Sequence, residues 1–124
     1  MSAGAHTVLV VEDDDHLRQM LRMALAVAGY DVFDAGDGYA ALHFLDQRKP
    51  SAIILDLGLP RVNGQAVLME ACALGIPVVV ATGLDVSAAE LSQAACLLRK
   101  PVEPMRVVHA VRRCIEAAVS AEEC

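Results

Sequence analysis

Five short apolar runs, each followed by a stretch of helical periodicity, constrain this chain more than any other feature. Thr7-Val-Leu-Val-Val11 is rich in β-branched residues. Behind it, Leu17, Met20, Leu21, Ala24, Leu25 and Ala28 recur at the i, i+3, i+4, i+7 spacing of one helix face, and Gly29 follows as a stop. Asp31–Asp34 reads as a second, weaker strand. Asp37-Gly38 opens a helix that runs to about Arg48 with Leu42 and Leu45 inward, and Pro50 closes it. Ala52–Leu55 is apolar throughout and therefore buried on both faces. A loop with Pro60 and Asn63-Gly64 leads to a short helix ending at Gly75, and Pro77–Ala81 is the fourth strand. Ser87-Ala-Ala-Glu90 is a capping box at the start of another short helix. Cys96–Leu98 is the fifth strand. Pro104 begins a last helix with Val108, Val111, Ile115 and Val119 inward. Val107, Val111 and Cys114 beside that stripe suit either a homodimer or partner contact or a deeply buried helix.

Strands alternating with helices imply an α/β fold: a doubly wound parallel sheet with right-handed crossovers and helices on both faces. At 124 residues the expected organisation is one domain over 1–124, its core running from about residue 7 to 119. Hydrophobic residues make up 56% and aromatics only 3%, so the core is built from aliphatic side chains, as such a sandwich needs. A net charge of -6 argues against direct nucleic-acid binding, which needs clustered positive charge. No apolar stretch approaches the roughly 18 residues of a membrane span, and Met-Ser-Ala-Gly-Ala-His lacks the pattern of a signal peptide. Cys72, Cys96, Cys114 and Cys124 have neither C-x-x-C spacing nor a neighbouring histidine. They are expected as buried, reduced thiols, and the compartment as cytoplasmic.

In sheets of this kind, ligands bind beyond the carboxyl ends of the strands. There the sequence collects Glu12-Asp13-Asp14-Asp15 after strand one, Asp56 after strand three, Thr82 at the end of strand four and Lys100 after strand five. Asp14 or Asp15 can cap the first helix, but capping does not call for four acids, nor for Asp56 after a fully apolar strand. Converging carboxylates repel, and a hard divalent cation such as Mg2+ relieves that repulsion. A carboxylate beside such a cation can act as a nucleophile towards phosphorus, with lysine and hydroxyl groups stabilising the transferring phosphoryl group.

Val8-Leu-Val-Val-Glu-Asp-Asp14, Ile54-Leu-Asp-Leu-Gly-Leu-Pro60 with Asn63-Gly64, Val79-Val-Ala-Thr-Gly83 and Leu98-Arg-Lys-Pro101 together resemble the receiver domain of bacterial two-component response regulators, of the single-domain chemotaxis-regulator kind. The resemblance implies a flavodoxin-like (βα)5 fold with strand order 2-1-3-4-5. It implies that Asp56 accepts a phosphoryl group from a histidine kinase or a histidine phosphotransfer protein. By the same resemblance Asp13 is a direct Mg2+ ligand, Glu12 acts beside it through water, and Asp56 and the backbone carbonyl of Gly58 complete the metal site. Thr82 is the switch hydroxyl, Lys100 pairs with the phosphoryl group, and Pro101 follows a cis bond. The expected output is regulation of a downstream protein through the surface around the fourth and fifth strands and helices. No enzymatic activity is expected beyond self-catalysed phosphorylation and dephosphorylation.

The sequence departs from the family pattern in places. Leu97 stands where the family usually has an aromatic switch residue, and the intervals from Asp56 to Thr82 and from Thr82 to Lys100 are short, which implies trimmed third and fourth helices. Gly58 and Gly83 offer no side chain to shield the acceptor, so a short-lived acyl phosphate is expected. Competing readings are a receiver excised from a hybrid kinase or longer regulator and a pseudo-receiver that binds without being phosphorylated. An aspartyl-phosphate phosphohydrolase needs a second acid near the nucleophile and a covering cap, where the sequence offers Asp56-Leu-Gly58 and no extra domain is expected; nucleotide binding needs a Gly-rich loop that does not follow strand one.

Overall fold

The computed structural model describes residues 6–59, 64–83 and 94–123. Its strands are β1 (Thr7–Val11), β2 (Asp31–Ala35), β3 (Ala52–Leu55), β4 (Val78–Thr82) and β5 (Cys96–Arg99). The helices among the described residues are α1 (Asp15–Val27), α2 (Gly38–Gln47), α3 (Gly64–Ala73) and α4 (Pro104–Glu123). Pro60, Asn63 and the Ser87–Glu90 capping box, with the short helix it was expected to open, lie outside the described residues. All strand pairings are parallel and the order is β2-β1-β3-β4-β5, as expected.

Side chains alternate across a strand, so each strand feeds two cores. Leu9, Val11, Ile53, Leu55, Val78 and Val80 meet Ala41 and Leu45 of α2 and Val67, Leu68 and Ala71 of α3. Val8, Val10, Ala52, Ile54, Val79 and Ala81 meet Leu21 and Leu25 of α1 and Val107, Val108, Val111 and Ile115 of α4. The central strands β1, β3 and β4 are buried almost throughout, whereas the edge strands β2 and β5 are only partly covered. This explains why β2 reads as weak in the sequence: Asp31 and Asp34 are exposed on an edge.

Helix boundaries follow local chemistry. The Asp14 carboxylate accepts from the Leu17 amide at 3.0 Å and caps α1, and Asp37 caps α2 through the Ala40 amide at 2.8 Å. Gly29 at φ +103° and Gly75 at φ +75° take the left-handed conformation that ends α1 and α3.

Several expectations about burial need correction. Val119, one helical turn after the buried Ile115, is 38% exposed, and Met20 sits on the outer side of the α1 stripe at 41%. Val107 and Val111 are fully buried against the sheet, so the breadth of the α4 stripe is core packing. Cys72 is exposed, and Cys96 and Cys114 are half-buried against the margin of a core; these three are free thiols, and Cys124 lies outside the described residues. Burial and the neighbouring Cys96 push the Cys114 thiol above its ordinary range. Leu97, at the family's aromatic position, is half-buried and packs on the α2–α3 side.

Candidate functional site

The strand order reverses between β1 and β3, and the crevice beyond their carboxyl ends is where this topology places ligands. The Asp56 amide donates to the Val11 carbonyl at 3.0 Å, extending the β1–β3 ladder by one residue and setting Asp56 beside Glu12. Glu12, Asp13 and Asp56 each offer a carboxylate oxygen, and the three oxygens lie within 4.8 Å of one another. Glu12 is 2% exposed and Asp56 7%, while Asp13 is open to solvent.

Lys100 compensates the two buried acids. Its ammonium is 2.8 Å from Glu12 Oε1 and 2.9 Å from Asp56 Oδ2. The register Thr82↔Arg99 brings Lys100 to the site, and its amide donates to the Thr82 carbonyl at 3.0 Å. The Lys100–Pro101 bond is cis, as expected from the resemblance. Desolvation pulls the Lys100 ammonium down, but its hydrogen bonds to Glu12 and Asp56 outweigh this and hold it above the ordinary lysine range. For Glu12 burial wins: desolvation lifts its carboxyl above the ordinary range despite the bonds to Lys100 and the Asp14 amide.

The remaining contacts fix the loop after β3. Asp56 Oδ1 accepts from the exposed Gly58 amide at 3.0 Å. Gly64 packs so closely that a Cβ there would lie 2.5 Å from Leu57 Cα and 2.9 Å from the Asp56 carbonyl oxygen. The Asn63-Gly64 signal thus has a steric meaning: only glycine lets α3 begin against the Asp56–Leu57 backbone. Thr82 is fully buried at the end of β4, and among the described residues a Cβ on Gly83 would meet only Lys100 Cβ, at 4.0 Å.

The donor set is all oxygen, with no sulfur or imidazole, and its carboxylates crowd one another. That chemistry fits a hard dication such as Mg2+ and does not suit a soft metal. Glu12, Asp13 and Asp56 are the residues that would hold it.

Sequence reasoning missed Arg18. Its Nη1 donates to the Glu12 carbonyl at 2.9 Å, its Nε to Asp34 Oδ2 at 2.9 Å and its Nη2 to Asp15 Oδ1 at 2.6 Å. Its position held a clue: a cation near the amino end of a helix opposes the helix dipole and needs specific compensation.

Residues 8–112 match the family model described as the response regulator receiver domain. The DNA-binding response regulator MtrA of Mycobacterium tuberculosis (strain ATCC 25618 / H37Rv) is 34% identical over 121 residues, covering 90% of this chain and 51% of MtrA. Response regulator MprA of Mycobacterium sp. (strain KMS) is 38% identical over 80 residues, 63% of this chain and 35% of MprA. The chain thus spans about half, or less, of the length of these curated relatives. Among solved structures, NtrX from Brucella abortus superposes with a TM-score of 0.86 at 26% identity, covering 96% of this chain and 29% of that one. A CheY-like response regulator receiver domain protein from Methanospirillum hungatei JF-1 superposes at 0.88 with 20% identity, covering 94% and 98%, and shares the fold. With its sheet order, its acidic crevice and a family match over most of its length, the chain belongs to the response regulator receiver domain family of two-component systems.

Proposed function

We propose that this receiver accepts a phosphoryl group on Asp56 from a phosphohistidine of a histidine kinase or phosphotransfer protein, and that the modification regulates a partner protein. The observation that carries the reading is the convergence of Glu12, Asp13 and Asp56 within 4.8 Å, with Lys100 bridging two of them.

In the proposed reaction an Asp56 carboxylate oxygen attacks phosphorus in line with the phosphoimidazole P–N bond. The O–P bond forms as the P–N bond breaks, and the imidazole leaves with the electron pair and takes a proton from solvent. The Gly58 amide orients Asp56 through Oδ1. Lys100, already at hydrogen-bond distance from Asp56, stabilises charge on the phosphoryl oxygens. Bound Mg2+ would supply Lewis-acid neutralisation of the same oxygens. The Thr82 hydroxyl serves as a donor drawn towards the phosphoryl group, biasing the β4 end and the loop after it between two arrangements. Leu97 makes an aromatic in/out read-out unavailable, so the output surface answers to backbone and loop position. With no side chain at Gly58 or Gly83 to shield it, the acyl phosphate is open to water and short-lived in this reading; Gly83→Ala is expected to lengthen its lifetime.

No catalytic turnover beyond this self-modification is proposed. The greater length of MtrA and MprA supports a role in which the receiver governs a further unit, in the same polypeptide or in a partner. The test is phosphotransfer profiling of the chain against histidine kinases and phosphotransfer proteins, with Asp56→Asn as control. Mg2+-dependent labelling that is lost in Asp56→Asn is expected; no labelling by any kinase or small phosphodonor would favour a pseudo-receiver.

A further inference from the structure

We propose that Arg18 is a positioning residue for the metal-holding acids: its guanidinium fixes the peptide between Glu12 and Asp13 and thereby aims the Asp13 carboxylate. The inference rests on the reading of this crevice as a Mg2+ site.

Glu12 is pinned at each polar atom. Its amide donates to the Ala35 carbonyl at 3.1 Å and its carbonyl accepts from Arg18 Nη1 at 2.9 Å. Its carboxylate accepts from the Asp14 amide at 3.1 Å and from Lys100 at 2.8 Å. Asp13, in contrast, is exposed, and its direction follows from the peptide plane that precedes it. Arg18 sets that plane. The guanidinium is in turn locked by Asp15 and by Asp34, and its side chain is only 19% exposed. The planar fork thus ties the end of β1 to the start of α1 and to β2, the segments that flank the acidic turn. Asp15 and Asp34 also hold the guanidinium firmly protonated.

Geometry and charge predict opposite outcomes here. Taken only as a positive charge near the crevice, Arg18 repels a dication, and its removal would tighten Mg2+ binding. Taken as a positioning residue, its removal weakens binding, as loss of a group that orients a metal ligand does. Lysine keeps the charge but is a point donor that cannot reach the three acceptors together.

The test is a Mg2+ titration of the unphosphorylated chain followed by backbone amide NMR, with thermal unfolding recorded in parallel. Arg18→Lys and Arg18→Met are each expected to weaken Mg2+ binding about ten-fold. Asp34→Asn, which loosens the clamp without touching Glu12, should weaken it less and in the same direction. Before Mg2+ is added, the amide shifts of Glu12 and Asp13 should move while those of the sheet interior stay in place. A merely structural arginine would lower Tm and leave the affinity unchanged. Undiminished affinity in Arg18→Lys, or tighter binding in Arg18→Met, overturns the proposal. Should Arg18→Met not fold, Arg18→Lys and Asp34→Asn still decide it. A wild-type chain with no Mg2+ response overturns the reading of the site itself, whereas a wild-type response kept in full by Arg18→Lys overturns the role of Arg18 alone.

Discussion

The middle of the sheet and its carboxyl edge are built from the same three strands, β1, β3 and β4, by opposite physics. In the middle, Leu9, Ile53 and Val79 are fully buried among aliphatic neighbours from the helical layers. Three residues further along each strand, the chain buries Glu12, Asp56 and Thr82 instead. The middle gains stability from every contact, since removing apolar area from water is favourable. The edge gives stability up: Lys100 compensates two carboxylates, yet Glu12 still sits above its ordinary pKa because burial outweighs its partners. A site held in that condition has reason to bind a dication.

The comparison can be broken most forcefully from the middle. Ile53→Ala removes a fully buried side chain and is expected to cost about 3 kcal/mol in chemical denaturation, while leaving Mg2+ affinity intact in the folded fraction. At the boundary of the two regions, Gly64→Ala drives a Cβ to within 2.5 Å of Leu57 Cα and should cost about 2 kcal/mol. Unlike Ile53→Ala, it should also slow phosphoryl acceptance, because the displaced backbone carries Asp56.

At the edge the sign reverses. A carboxyl whose pKa is raised on folding lowers stability as pH rises from its ordinary value, 4.5, through the raised one, because the folded state then holds more protons than the unfolded. Glu12→Gln removes this dependence and should leave the chain more stable than the wild type at neutral pH, with the wild-type and variant stability curves converging in acid. Lys100 behaves oppositely: its contribution is fully present below the ordinary lysine range and is lost only as pH rises through its raised value, so it does not mask the Glu12 signal. Smallest of all, Met23→Gln on the exposed side of α1 should change stability by less than about 0.5 kcal/mol and leave both regions alone.

The sheet was legible because a strand buried on both faces has no freedom in composition: Ala52–Leu55 admits one reading. The acids were legible for the complementary reason, since Asp56 directly after such a strand is costly unless it has a use. Less visible were features set by three-dimensional compensation. Arg18 looks like any polar residue on a helix until Asp34, sixteen positions away, closes the clamp. Val119 follows the helical stripe faithfully, yet it is 38% exposed where Ile115, one turn earlier, is buried. The cysteines resemble core residues by type, yet Cys72 is exposed and Cys96 and Cys114 are only half-buried, which periodicity does not reveal.

The most direct test of the central claim, that the edge keeps its buried charge in order to accept a phosphoryl group at Asp56, is borohydride trapping after exposure to a small phosphodonor and Mg2+, read by peptide mass mapping. An acyl phosphate is reduced to the alcohol, so homoserine at position 56, formed only when Mg2+ and the donor are both present, is the predicted result. An unreduced Asp56, or trapping at another carboxylate that persists in Asp56→Asn, would contradict it.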